Sequence, residues 1–382
     1  MSEITFPAFD LARLLTTVFS PDKREKISVL IDLPEPKDAG GLAFLKNPDL
    51  TIQKIAWETF YVPLRDGLAA KLGLEPGGFY AYKVTGGSNL DMPDEAWDTE
   101  GNQVSLEKDV YPDHGIILCI STYSATAPLT AFAKQYGFRG ATLHGVNDII
   151  LSSGLSVNYL EVSKEAEKLR SAMTRADAFE IDYEIGGKTY TLKLITNQQE
   201  AQKSHGLCPP GAPDVANLPA GEVYYVPASA EGQFPMYYEH TDTIALMDVK
   251  DGHVVKATLI EGDAALVEAH NRKLAEDPAT GVIGELGMGT QRLPVSGRDI
   301  QDEKILGTVH VATGRSDHLG GDCVPGSFTD KSHATHDDIL FAPFKTPKIH
   351  VPQVRMHRDG KVTPVIEHYK PTAYLEEALA AS

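Results

Sequence analysis

The chain has 382 residues, 42% of them hydrophobic and 23% charged, which suffices for full cores without staples and shows too little bias for disorder. Its 53 acidic and 35 basic residues leave a formal charge of −18. That balance argues against nucleic-acid phosphates and anionic lipid as partners, and it favours cations. Cys119, Cys208 and Cys323 have no CxxC spacing, so neither a disulfide framework nor a thiolate zinc knuckle is expected. MSEITFPAFDLARLL lacks a leader pattern, and no apolar run reaches the ~20 residues that span a bilayer. The reading is a soluble cytoplasmic protein with no membrane partner.

Length suggests two domains. ISVLIDL, ending at Leu33, is a short apolar run suited to a parallel strand covered on both faces. Leu50 to Leu74 has helical periodicity, with Pro63 expected to end or kink it. Strands are predicted from Phe79 to Val84 and from Ile116 to Ser121, the latter leading into a helix that stops at Gly137. A strand at Ala141 to Leu143 and a helix at Asn158 to Thr174 follow. This alternation implies an α/β N-terminal domain with an open, largely parallel sheet. The polar stretch 86–112 is expected to be an insertion loop.

Near Ala178 the period changes to two. FEIDYEIGGKTYTLKL reads as a hairpin turning at Gly186-Gly187, and further hairpins are expected at Asp251-Gly252 and Asp359-Gly360. One helix is predicted at Asp263 to Ala275. The second half is therefore a β-rich (α+β) domain, with domains at 1–177 and 178–382.

Metal-binding side chains are dense in GTVHVATGRSDHLGGDCVPGSFTDKSHATHDDILFAP, which carries His310, Asp317, His318, Asp322, His333, His336, Asp337 and Asp338. In a strand Thr308, His310 and Ala312 share one face, and His336 and Asp338 likewise point the same way. His333 and Asp337 would point elsewhere or orient ligands. Glu285 lies in GELGMGT, whose glycines allow close backbone approach, and Glu222 opens the strand EVYYV. Singly, each donor also fits a bland role: a core histidine on a backbone carbonyl, a polar loop, a surface glutamate. Together, imidazoles and carboxylates are the usual set for zinc, cobalt, manganese or iron(II). There is no GxSxG elbow, P-loop, GxGxxG after a strand or HExxH, and Cys208 has no identifiable base.

NLPAGEV, GELGMGT, DEKILGTVH and SHATHDD, in this order, resemble the aminopeptidase T/S family of dinuclear metallopeptidases, from about residue 140 onwards. The resemblance implies metal ligands at Glu222, Glu285, His310, His336 and Asp338. It also implies a β-rich catalytic domain and a homodimer enclosing the active site. The expected cofactors are two divalent ions (Zn, Co or Mn), and the expected substrate is a small peptide or amide. Glu285 would carry a proton to the leaving amine. The family tyrosine seven residues after the strand histidine is replaced by Asp317, so His318 is the candidate to donate in its place. A second branch resembles 2,5-dihydroxypyridine dioxygenases, which hold one Fe(II) with two histidines and a carboxylate. That branch has histidine where this chain has Glu285, yet His310, His336 and Asp338 alone would form such a triad. A catalytically dead binding protein, a third reading, would require lost ligands, and none is lost.

Overall fold

A computed structural model describes residues 5–381 apart from residues 23 and 114. The chain divides into two compact units rather than at one cut near residue 177. The first runs through Ser163 and regains His205–Ala220 and Ser296–Gln301; the second holds Lys164–Ser204, Gly221–Val295 and the chain from Asp302 onwards. The returning segment brings strand Val215–Asn217, which pairs in parallel with Arg139–Thr142. Pairing between segments so far apart leaves no trace in local composition.

The first unit is built on a seven-stranded sheet. Its order is Val215–Asn217, Arg139–Thr142, Ile116–Ile120, Lys26–Leu33, Glu75–Lys83, Glu95–Trp97 and Gln103–Ser105. The first five strands are parallel and the last two antiparallel. All of Ile27–Leu33 is buried, the pattern of a strand covered on both faces. The stretch 86–112 is not a plain loop: it supplies the two antiparallel edge strands and a helical turn at Leu106–Val110. Buried Ala96, Trp97 and Leu106 tie it down. Pro63 does not end its helix, holding φ −59° and ψ −40°. Wider turns at Ala56–Tyr61 and Leu64–Leu68 accommodate its ring and missing N–H, and the break falls at Gly67, where φ is 118°.

The second unit contains an eight-stranded and a five-stranded antiparallel sheet. The three expected hairpins turn at Gly186-Gly187, Asp251-Gly252 and Asp359-Gly360, all with positive φ. Helix Ala264–Glu276 is capped by the Asp263 carboxylate, which accepts from the Ala265 and Leu266 amides. The smaller sheet runs in chain order through β1 (Gln202–Ser204), β2 (Glu222–Tyr225), β3 (Ile283–Gly289), β4 (Val309–Gly314) and β5 (His336–Phe341). Leu286 and Met288 of β3 and Val309 and Val311 of β4 join Phe179, Ile181, Leu192 and Leu194 in one apolar core. The opposite face of β3 and β4 is thereby left for polar groups. Among the described residues, no helix is long and apolar enough to cross a membrane.

Candidate metal centre

Strand alternation and register assemble the site. Gly287 pairs with His310 and Glu285 with Ala312 across β3 and β4. Ala312 in turn pairs with Asp338, and Gly314 with His336, across β4 and β5. Glu222 pairs with Gly289 across β2 and β3. Paired residues share a face, so Glu222, Glu285, His310, His336 and Asp338 all rise from the same side. Small neighbours clear the space: a Cβ on Gly287 would lie 2.1 Å from the His310 ring. A one-residue register shift between Ile283 and Glu285 is decisive. Residues two apart in a regular strand point the same way, yet Ile283 belongs to the apolar core and Glu285 to the site. The bulge turns the carboxylate out.

The donors form overlapping groups whose ligand atoms lie within 4.8 Å of one another: Glu222, Glu285 and His310; Glu285, His336 and Asp338; and Glu303, His310 and Asp338. His310 Nε2 stands 3.5 Å from both Glu222 Oε2 and Glu285 Oε1. His336 Nε2 is 3.0 Å from Glu285 Oε2 and 3.3 Å from Asp338 Oδ1. His336 Nδ1 donates to the Arg315 carbonyl at 2.6 Å, which leaves the lone pair of the neutral ring on Nε2, facing the acids. Glu222, Glu285, His310 and His336 are each at most 6% exposed, whereas the Asp338 side chain keeps 30%.

Burial alone would raise the Glu285 carboxyl, but hydrogen bonds and charge from His310 and His336 hold it well below the usual carboxylate range. His310 shows the reciprocal effect. Burial would lower it, and the facing acids, Glu285 first, push it up to about 9. His336 is raised well above its ordinary value against the same desolvation, by Asp338 and Glu285. The cluster draws positive charge into its centre.

These residues fit divalent cations. Glu222 Oε2 and His310 Nδ1 are buried without a hydrogen-bond partner among the described residues, a costly condition for atoms with no further role. Donor separations of 3.0 to 3.5 Å match the roughly 3.4 Å between ligand atoms about 2.1 Å from one tetrahedral ion.

All five expected ligands are brought together. His318 lies beside them, its ring edge-on to His336 with centroids 4.9 Å apart. Its Nδ1 is 3.9 Å from Asp317 Oδ1, too long for a hydrogen bond. Asp317 is itself held by Arg315, with Nε to Oδ1 at 2.6 Å. His333 turns away to Asp277 at 3.1 Å, and Asp337 accepts from Thr335 Oγ1. Two residues of DEKILGTVH were not singled out by sequence: Glu303 and Lys304, 5% and 1% exposed. Lys304 Nζ donates to Glu222 Oε1 at 2.7 Å and to Glu303 Oε1 at 2.6 Å. Burial, outweighing the neighbouring lysine, pushes the Glu303 carboxyl up to about 8. An acid–lysine dipeptide before a strand looks like a surface turn, so only its position before His310 could have pointed to it.

No protein-family model and no curated protein matches the sequence. Among solved structures, the 2,5-dihydroxypyridine dioxygenase from Pseudomonas putida KT2440 is similar over 91% of this chain and 92% of that one, with a TM-score of 0.57 and 13% identity. At that identity the likeness is one of fold. In class, the chain is a mixed α/β protein carrying a candidate carboxylate–imidazole centre for divalent cations.

Proposed function

We propose that the chain is a metal-dependent hydrolase, aminopeptidase-like, that cleaves an N-terminal peptide bond or a related amide. The observation that carries this reading is the division of Glu285 between two donor groups. Its Oε1 faces His310 and its Oε2 faces His336, so one oxygen would be available to each of two cations. Glu222 and His310 would hold one ion, and His336 and Asp338 the other. When bound, the ion pair supplies Lewis acidity that activates water and polarises a carbonyl.

The remaining roles belong to the chain. Glu285 accepts the proton of the attacking water and passes it to the leaving amine. His318, packed on His336, donates a hydrogen bond to the developing oxyanion where the family pattern has tyrosine. Arg315 holds His336 through its carbonyl and Asp317 through its guanidinium. The near-complete burial of four donors limits water at the centre and strengthens every charge there.

A second reading, a mononuclear Fe(II) ring-cleaving dioxygenase, is favoured by the fold likeness to an enzyme of that name. Here His310, His336 and Asp338 would form the iron triad. Metal analysis and reconstitution separate the two. Protein loaded anaerobically with Zn, Co or Mn should take up about two equivalents and release amine from dipeptides or aminoacyl amides. Protein loaded with Fe(II) that instead consumes oxygen with 2,5-dihydroxypyridine, and never releases amine, would replace the first reading with the second. The homodimer implied by the resemblance is read from sedimentation of the same sample.

A further inference from the structure

Lysine is among the residues least often buried, and an unpaired ammonium is costly to remove from water. Lys304 is nevertheless 1% exposed, with its Nζ between one oxygen of Glu222 and one of Glu303. Its place is set by backbone. The Gln291 amide donates to the Lys304 carbonyl at 2.8 Å, and Thr308 Oγ1 donates to the Glu303 carbonyl at 3.0 Å. Gly289 lets this segment press on β3, since a Cβ there would lie 2.6 Å from the Lys304 carbonyl carbon. The lysine is therefore built against the sheet and cannot be a side chain that drifted inward.

Its contacts divide the work of Glu222. Oε1 is occupied by the ammonium, while Oε2 faces His310 with no hydrogen-bond partner among the described residues. Four acid side chains, those of Glu222, Glu285, Glu303 and Asp338, crowd one centre, and the ionised ones repel one another. A fixed monocation between two of them relieves part of that repulsion and would keep Glu222 from turning both oxygens to one ion.

We propose that Lys304 is a positioning residue of the metal centre, an internal counter-ion that aims Glu222 and keeps the acids assembled when no divalent cation is bound. The proposal rests on the metal-centre reading above.

The test compares wild type, Lys304→Met and the double variant Glu303→Gln/Lys304→Met, each dialysed against chelator or loaded with zinc, by thermal midpoint and zinc content. In chelated protein, Lys304→Met should lower the midpoint by about 10 °C, as expected for exposing a buried charge to its own kind. Zinc should bring that variant to within a few degrees of the loaded wild type. The double variant, which removes one acid with the lysine, should recover at least half of the loss without zinc. Equal losses with and without zinc, no recovery in the double variant, or no loss at all would each overturn the proposal. If Lys304→Met does not fold, a folded double variant supports the proposal and an unfolded one overturns it. A wild type that takes up no zinc defeats the functional reading, whereas single against double variant in chelated protein still decides the role of the lysine.

Discussion

Each unit buries acid side chains, and the two treat them differently. Asp32, 1% exposed at the end of a parallel strand of the first unit, is met by neutral donors. Its Oδ1 accepts from Gln53 Nε2 at 2.7 Å, from the Thr122 amide at 2.9 Å and from Thr122 Oγ1 at 3.1 Å. Burial outweighs these bonds and raises its pKa. Glu285 is buried as deeply, but it faces two imidazoles, and its pKa falls. Burial of a carboxylate is therefore no mark of a site. What distinguishes the second unit is the kind of partner: several acids converge on histidines, with Glu222 Oε2 left unbonded among the described residues.

That contrast can be broken by experiment. Glu285→Gln should abolish amide turnover and weaken cation binding by at least about 10–100-fold with an unchanged circular dichroism spectrum. Wild-type rates and zinc content in this variant would place Glu285 with Asp32 as a structural acid. His336→Ala should cost close to one equivalent of bound metal by elemental analysis, and full stoichiometry would remove His336 from the ligands. Chelation of the wild type should lower stability by about 3 kcal/mol relative to protein held at 100 times the Kd, read by denaturant titration; coincident curves would mean that no cation stabilises the fold. Asp32→Asn should cost about 1 kcal/mol and leave metal content untouched. A drop in bound metal there would erase the distinction between the units.

A surface acid gives the smallest effect. The Arg170 hydrogen bond, with help from Lys203, holds Glu167 down at about 2 from an ordinary 4.5. A depressed carboxyl stabilises above its unfolded pKa, so this contribution is present above about pH 4.5 and lost as pH falls towards 2. The side chain is 40% exposed, so screening keeps the gain below about 1 kcal/mol. Glu167→Gln should flatten the acid limb of the stability curve slightly; an unchanged limb would show that the pair contributes nothing.

Much of this was legible because it is local. Gly186-Gly187, Asp251-Gly252 and Asp359-Gly360 mark hairpins by requiring positive φ. The runs around Val29 and Ile117 mark buried parallel strands by lacking polar alternation. The illegible parts depend on partners. Residues 86–112 are polar enough for a loop and become strands by pairing with Ala81 and Tyr82. Val215–Asn217 becomes a strand of the first unit through Arg139–Thr142.

For the site itself, sequence alone determined the donor types and, through the period of two, that His310 sits apart from Val309 and Val311 and that His336 and Asp338 share a side. Tertiary structure decided that these strands are neighbours, that a bulge beside Gly284 turns Glu285 away from the core that holds Ile283, and that Lys304 sits among the acids. Alternation follows from the covalent geometry of one strand, whereas register, bulges and buried charge pairs exist only between segments distant in the chain.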